Sequence, residues 1–226
     1  MTGLVLQTQE DAPAGLLEGW AQRRGFALDT LRVDGEAAWP EPRAYDFVAT
    51  LGSSASVAGG GPGWVARTID FLRAADAADV PVLGICFGAQ ALAAALGGSV
   101  HKLATPEVGW VTVTSNDADR IPSGPWLAWH EDGFTLPPLG YELAANAFGC
   151  QAFCLTRHLG VQFHPEVTAG IVAGWTRADH EDLARAGVTA ADLDPQPHAA
   201  EAARAAEVLF DGFAARAGLV AVASGA

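Results

Sequence analysis

Residues 82–90 read VLGICFGAQ, and this stretch decides the fold of the chain. It begins with an apolar run typical of strands that are buried on both faces, and a helical spacing of Ala and Leu follows it over residues 87–96. Between strand and helix lies a Gly-x-Cys-x-Gly sequence, whose small residues let the backbone turn tightly. The pattern predicts that Cys86 is held at a strained, exposed turn at the positive end of a helix, which favours its thiolate.

Short apolar runs alternate with helical stretches through the rest of the first hundred residues. Strands are predicted at residues 3–7, 26–33, 46–50 and 80–85. Helices are predicted at residues 14–24, 64–77 and 87–96. This alternation is typical of a parallel sheet that is covered by helices.

The rhythm changes after the glycine pair at positions 97 and 98. Residues 110–114 and 142–147 alternate apolar and polar side chains, and residues 152–162 have the pattern of a hairpin. These segments are predicted to be half-exposed antiparallel strands added to the parallel core. Residues from 169 onward are Ala-rich and helical, with a break near 194–197 and a final amphipathic helix over 198–217.

The predicted fold class is therefore α/β, with a mixed, mainly parallel central sheet and helices on both faces. One domain is predicted over residues 1–218, followed by a loose tail at residues 219–226. The chain has 226 residues, of which 50% are hydrophobic, so it can bury a sizeable core and does not have the composition of a disordered protein.

Charge and cysteine content exclude several classes of function. The 26 acidic residues outnumber the 13 basic ones and give a formal charge of −13, which makes nucleic acid and anionic membranes poor partners. The three cysteines form no Cys-x-x-Cys pair, so neither a zinc site nor a redox centre is expected, and Cys150 and Cys154 are predicted to be buried free thiols.

The apolar N-terminus has the pattern of a first strand, and no apolar run approaches the roughly 18 residues that span a bilayer. A soluble, cytoplasmic protein is expected.

Residues 160–166 read GVQFHPE and supply the partners that a reactive thiol needs. A thiol needs a base, and the base needs a group that fixes its tautomer and stabilises its cation. His164 and Glu166 lie two positions apart in extended chain, so their side chains start on the same side, and Pro165 restricts the backbone between them. Taken alone, a cysteine between glycines is common in core packing and His-Pro-Glu is common in solvated turns. Their combination favours a catalytic triad of Cys86, His164 and Glu166.

Residues 84–90 (GICFGAQ) and 162–166 (QFHPE) resemble the two signature motifs of the class I, or triad, glutamine amidotransferases. The resemblance covers most of the chain, is strongest over residues 46–166, and implies the flavodoxin-like fold of that family. It implies that Cys86 attacks the side-chain amide of glutamine, that ammonia leaves, and that water releases glutamate from a γ-glutamyl thioester. It implies no metal and no cofactor.

Residues 51–57 (LGSSASV) stand where that family builds part of its oxyanion hole. The family usually has adjacent glycines followed by proline in this loop, so the resemblance implies Gly52 and Ser53 as amide donors, together with the amide of Phe87. Because a single glycine stands in this loop, the identity of the donor stays open, and a plain turn is the alternative. Gly88 and Gln90 are implied as substrate-binding residues, although a Gln at a helix start can equally face solvent.

Residues 129–134 (WHEDGF) resemble a His-Gly-Asp stretch of members related to GMP synthetase, whose backbone helps to hold the α-amino and carboxylate groups of glutamine. His130 is therefore implied as a substrate-binding residue, with a structural role as the alternative. Glu131 replaces the glycine of that stretch, which makes a close backbone approach to a ligand less secure. Glu107 is implied to orient the site or an ordered loop.

Three functions remain open at this point. The first is a glutamine-hydrolysing subunit that delivers ammonia to a separate acceptor-activating synthase, because the chain has no phosphate-binding loop of the P-loop form. The second is a stand-alone γ-glutamyl hydrolase or peptidase that uses the same triad on another γ-glutamyl amide. The third is a binding or regulatory protein that kept the triad residues without turnover.

Overall fold

A computed structural model describes residues 1–35, 37–178 and 180–219 of the chain. The strands are β1 (Thr2–Gln7), β2 (Ala27–Arg32), β3 (Phe47–Thr50), β4 (Val82–Ile85), β5 (Val100–Val111), β6 (Thr114–Ser115), β7 (Trp126–Phe134), β8 (Tyr141–Asn146), β9 (Gly149–Leu155) and β10 (His158–Val161). The helices are α1 (Leu16–Arg23), α2 (Gly63–Ala77), α3 (Phe87–Ala95), α4 (Ala169–Ala178), α5 (His180–Ala186) and α6 (Ala199–Ala217). Of the predicted tail, residues 220–226 lie outside the described residues, whereas Leu219 packs against the core.

Eight strands form one mixed sheet in the order β2-β1-β3-β4-β10-β9-β8-β6. The first five are parallel to one another, and β9, β8 and β6 extend the sheet in antiparallel fashion. The hairpin predicted for residues 152–162 is formed by β9 and β10, and β10 is at the same time the parallel neighbour of β4. The predicted mixed, mainly parallel sheet is confirmed.

The interpretation of residues 110–114 as a strand of the central sheet is wrong in its pairing. Trp110 and Val111 end β5, which pairs with β7 in a separate two-stranded antiparallel sheet, whereas Thr114 begins β6, which joins the edge of the main sheet. Alternation of apolar and polar residues shows which side chains share a face, but it does not show which strand is the partner. The two-stranded sheet has an apolar cluster of its own, in which Leu127 of β7 packs with Val172 of α4 and Leu183 of α5.

Helices cover both faces of the main sheet, as the sequence predicts. On one face, Trp20 of α1 lies 5.7 Å from Phe210 of α6, measured between ring centroids. On the other face, residues of α2 and α3, among them Leu72 and Leu92, pack against β1, β3 and β4. Within the described ranges, no helix has the length and apolar character needed to cross a membrane.

The three cysteines are free thiols. Cys86 and Cys154 are buried, and Cys150 is half-buried. Burial is the main reason why the pKa of the Cys150 thiol rises to about 12. Burial likewise raises the pKa of Cys154. Both thiols are therefore held in the protonated, unreactive form.

Candidate active site

Cys86 lies at the sharp turn between β4 and α3, as the sequence predicts, but it is 4% exposed, so the predicted exposure of its side chain is wrong. Its backbone has φ 51° and ψ −110°, a conformation that residues with a side chain rarely adopt. Two backbone hydrogen bonds hold the turn, because the Cys86 N–H donates to the Val161 carbonyl (2.8 Å) and the Gln90 N–H donates to the Cys86 carbonyl (3.0 Å). The strained turn is thus supported by the neighbouring strand and by the first turn of the helix.

The two glycines of this turn allow the backbones to approach closely. A Cβ on Gly84 would lie 2.5 Å from the Gly88 carbonyl oxygen, and a Cβ on Gly88 would lie 2.0 Å from the Thr50 carbonyl oxygen. Any larger residue would push α3 away from β3 and β4. Gly88 is therefore needed to seat the helix, and it does not line the cavity described below.

His164 and Glu166 form a buried pair directly after β10. His164 Nδ1 lies 2.7 Å from Glu166 Oε1, and the two residues are 4% and 2% exposed. The His164 N–H donates to the Leu127 carbonyl of β7 (2.8 Å), and the Glu166 carbonyl accepts from the N–H of Leu16 (2.7 Å). With Nδ1 directed at the carboxylate, the other ring nitrogen is left for the thiol.

Electrostatics favour a protonated His164 next to the thiol. Burial, the largest influence, lowers the pKa of His164, but the charges of Glu166 and Cys86 and their hydrogen bonds outweigh it, so that the pKa lies well above the ordinary 6.5. Gly52 packs against both partners, because a Cβ there would lie 2.7 Å from His164 Cε1 and 3.7 Å from Cys86 Cβ. The structure therefore brings the three predicted triad residues together, in an arrangement that can generate a thiolate beside an imidazolium.

The triad opens into a cavity of about 310 Å³. Of the residues predicted for the site, the cavity is lined by Gly52, Ser53, Cys86, Gln90, His130 and His164. Sequence reasoning missed other residues that line it, among them Gln9, Asp11, Ser54, Ser56, Trp175 and Asp182. Gln9, Asp11, Trp175 and Asp182 come from loops and from α4 and α5 and carry no motif, so only the three-dimensional structure could identify them. Ser54 and Ser56 lie in the predicted oxyanion loop.

Gln9 organises the predicted oxyanion loop. Its Oε1 accepts the Ser54 N–H (2.8 Å) and the Ser53 hydroxyl (3.4 Å), while the Ser53 hydroxyl oxygen accepts the Ala55 N–H (3.1 Å). The Ser54 amide is thus already engaged. Gly52 and Ser53 line the cavity, and Gly52 lies next to Cys86, so their role as donors to an oxyanion stays a prediction.

The side chain and the backbone amide of Phe87 have different surroundings. Its ring is buried and packs at an edge against Trp64, with 5.5 Å between ring centroids. Any contribution of Phe87 to an oxyanion hole must therefore come from its backbone amide. That amide belongs to the first turn of α3, where N–H groups have no partner within the helix.

Gln90 bridges three elements at the base of the cavity. Its Nε2 donates to the Asp132 carbonyl of β7 (3.1 Å) and to Gln162 Oε1 (3.3 Å). It is 3% exposed, so it does not have the solvent-facing position considered as an alternative. A role in binding substrate stays a prediction.

His130 is held by a buried polar network. Its Nε2 lies 2.8 Å from Glu107 Oε2, and its Nδ1 lies 3.0 Å from the Asp132 carbonyl oxygen. Glu107 also accepts hydrogen bonds from Asn146 (2.6 Å) and Gln151 (3.0 Å), so that β5, β7, β8 and β9 are tied together. Both ring nitrogens of His130 are occupied, so the geometry assigns its side chain to support of β7, and a direct substrate contact stays a prediction.

Ion pairs close the rim of the cavity around β7. Glu131 pairs with Lys102 and with Arg185 of α5 (2.9 Å), and these partners lower its pKa, the Lys102 hydrogen bond being the largest influence. Lys102 also lies 3.0 Å from Asp132, whose other carboxylate oxygen accepts the Ser56 hydroxyl (2.5 Å). The glutamate that replaces glycine in this stretch therefore links the two-stranded sheet to α5.

Within residues 1–35, 37–178 and 180–219, no group of three or more His, Cys, Asp or Glu is arranged to hold a metal ion.

Comparison with known proteins points to one family. The model of the class-I glutamine amidotransferases matches residues 37–172. The A subunit of the glutamine-hydrolyzing GMP synthase of Sulfolobus acidocaldarius is 39% identical over 155 residues, which is 63% of this chain and 78% of that protein. The corresponding A subunit of Sulfurisphaera tokodaii is 44% identical over 96 residues, 38% of this chain and 51% of that protein. The longer GMP synthase of Thiobacillus denitrificans is 34% identical over 57% of this chain but only 28% of its own length.

Solved structures show the same fold. A glutamine amido transferase of Methylobacillus flagellatus superposes with a TM-score of 0.86 at 24% identity, covering 95% of this chain and 94% of that one. A glutamine amidotransferase of Thermotoga maritima gives a TM-score of 0.82 at 24% identity, over 96% and 97% of the two chains. At this identity the likeness establishes the architecture of the sheet and helices.

Proposed function

Since this chain belongs to the class I glutamine amidotransferase family, we propose that Cys86, His164 and Glu166 are the residues with which it hydrolyses glutamine to glutamate and ammonia. Family membership establishes a cysteine hydrolase that acts on glutamine and supplies ammonia. The observation that carries the assignment of residues is the buried His164–Glu166 pair, 2.7 Å apart, beside a cysteine at a strained strand–helix turn.

The proposed reaction has two halves. The Cys86 thiolate attacks the side-chain carbonyl carbon of glutamine, and the carbonyl electrons move to the oxygen. When the tetrahedral intermediate collapses, the C–N bond breaks and protonated His164 donates its proton to the departing nitrogen, which leaves as ammonia. His164 then removes a proton from water, the resulting hydroxide attacks the thioester, and glutamate leaves with the Cys86 thiolate restored.

Two backbone segments are proposed to stabilise the oxyanion. The proposed donors are the amide of Gly52 or Ser53, in the loop after β3 beside Cys86, and the amide of Phe87, in the first turn of α3. Donors that are already oriented need no reorganisation when charge develops, and the loss of one typically costs about 10²–10³ in rate. Gly88, Gln90 and His130 are proposed to shape the glutamine site, Gly88 by seating α3 and the other two by holding the Asp132 carbonyl.

We further propose that the chain is the glutamine-hydrolysing subunit of a two-part synthetase. Two of its relatives are GMP synthase A subunits, which makes synthesis of GMP the first acceptor reaction to test. The partner would bind and activate the acceptor and receive ammonia from the cavity. A cytoplasmic location stays a prediction.

The decisive experiment measures glutamate and ammonia release by the purified chain and by Cys86→Ala, first alone and then with a matching synthetase subunit. Turnover of glutamine that disappears in Cys86→Ala supports the proposal, and stimulation by the second subunit supports a two-part enzyme. A strong preference for another γ-glutamyl amide would replace glutamine as the substrate and favour a stand-alone hydrolase. Turnover that survives in Cys86→Ala would refute the proposed nucleophile.

A further inference from the structure

Trp175 of α4 contacts the ring of His164 from outside the segment that the family model matches. That match ends at residue 172, three positions before Trp175. The centroids of the indole and imidazole rings are 4.9 Å apart, and the planes are inclined by 70°, which is an edge-to-face contact. Trp175 also lines the cavity. The triad histidine is therefore touched by a residue that the signature motifs do not include.

The indole of Trp175 is itself held on two sides. Its Nε1–H donates to the carbonyl of Asp11 in the loop after β1 (2.8 Å). Its ring makes an edge contact with Trp129 of β7, with 6.0 Å between centroids and an angle of 80°. A ring with both a hydrogen-bonded and a packed side has little rotational freedom, so it presents a fixed surface to His164.

The other contacts of His164 leave a role for such a surface. Glu166 fixes Nδ1, and Gly52 lies close to Cε1. Gly52 contributes no side chain there, so it can limit the approach of the ring but cannot pack against it. Trp175 supplies a large side chain against the imidazole at the wall of the cavity.

We propose that Trp175 is a positioning residue that holds the His164 ring in line with Cys86 and shields this pair from water. The inference rests on the proposed function, because it requires His164 to act on Cys86. A displacement of a catalytic group by about 1 Å can cost about 10²-fold in rate. Loss of the indole should therefore lower turnover without removing any reacting group.

The test compares Trp175→Leu with Trp175→Phe. We expect Trp175→Leu to lower kcat for glutamine about 10- to 100-fold and to slow the alkylation of Cys86 by iodoacetamide, because the thiolate loses its aligned imidazolium. The alkylation rate measured over a series of pH values is the alkylation profile. Trp175→Phe keeps an aromatic ring and should stay within about threefold of wild type. Alkylation is followed on the peptide that contains Cys86, so that Cys150 and Cys154 do not contribute.

Trp110→Leu is the matched control. Trp110 packs against the same apolar cluster as Trp175, and its ring lies 4.9 Å from the ring of His198, but it does not line the cavity. This variant should lose comparable packing and keep the wild-type alkylation profile.

The proposal is overturned if Trp175→Leu keeps the wild-type alkylation profile. That holds whether its kcat is unchanged or falls only because the melting temperature falls. A rise in KM alone would also overturn it and make Trp175 a substrate contact. If Cys86→Ala keeps wild-type turnover, the proposed triad fails before this inference is reached.

Discussion

Replacing Glu166 by Gln removes one negative charge from the triad while it keeps the shape of the side chain. Glu166 is 2% exposed, and its Oε1 is 2.7 Å from His164 Nδ1. It is the first of the influences that raise the pKa of His164 against the opposing effect of burial. In the Gln variant burial is opposed only by Cys86, so the pKa of His164 should fall and the imidazolium beside the thiol should become less stable.

The size of the effect follows from the role of the carboxylate. In triads of this design the third residue fixes the tautomer and stabilises the cation, and its amide replacement costs up to about 10⁴ in kcat. We expect kcat for glutamine to fall about 10²- to 10⁴-fold in Glu166→Gln, which corresponds to about 3–5.5 kcal/mol of transition-state stabilisation. Alkylation of Cys86 by iodoacetamide should be slower in the same variant.

Protein stability should respond to pH with a defined sign. The pKa of His164 is raised in the folded state above the ordinary 6.5, so its protonation stabilises the fold fully below that value and ceases to do so as the pH rises through the raised pKa. The difference in free energy of unfolding between wild type and Glu166→Gln should therefore be large near about pH 6 and shrink at higher pH. Urea unfolding at a series of pH values measures it.

Asp76→Asn is the control for this experiment. Asp76 lies 3.1 Å from Nε2 of the buried His158, so it forms a further carboxylate–histidine pair, and neither residue lines the cavity. Its amide variant should keep wild-type turnover and the wild-type alkylation profile. If Glu166→Gln retained turnover within threefold of wild type and the same alkylation profile, the triad reasoning would be refuted.

Two further variants test the scaffold around the triad. Gly88→Ala places a Cβ 2.0 Å from the Thr50 carbonyl oxygen and should lower the free energy of unfolding by about 3 kcal/mol, measured by urea denaturation; wild-type stability would contradict the close seating of α3. Glu107→Gln weakens the buried contact with His130 and should destabilise the protein by about 1–3 kcal/mol and raise KM for glutamine, while the alkylation profile of Cys86 stays in place. A shifted alkylation profile would show that this network acts on the thiol itself.

Much of the parallel half of the fold could be predicted from the sequence. The strands β1, β3 and β4 are short apolar runs that are fully buried or nearly so, and such runs are distinctive when helical stretches lie between them. The turn at Cys86 could be predicted as well, because glycine at both flanking positions is what the close backbone contacts require. Local sequence carries these features.

The second half of the chain was harder to predict, because its strands are half-exposed. The partner of β5 depends on which surface its apolar face can cover, and α4 and α5 supply that surface from residues far along the chain. For the same reason the wall of the cavity formed by Asp11, Trp175 and Asp182 left no motif in the sequence. A side chain that works only through tertiary contacts has no local signal.

The triad itself depends on the strand order more than on either motif. Cys86 follows β4 directly and His164 stands three residues after β10, and Ile85 and Val161 are paired in register across these neighbouring parallel strands. Residues 97–157, which separate the two motifs, form β5 to β9 and return the chain so that β10 lies beside β4. Parallel strands have their carboxyl ends at the same edge of a sheet, so this one pairing brings the thiol and the imidazole together. A register shift of one residue between β4 and β10 would move the imidazole by about 3.3 Å along the strand, beyond what hydrogen bonding to the thiol tolerates. The antiparallel pairing of β10 with β9 helps to hold that register, which gives the hairpin a functional reason to lie beside the catalytic strand.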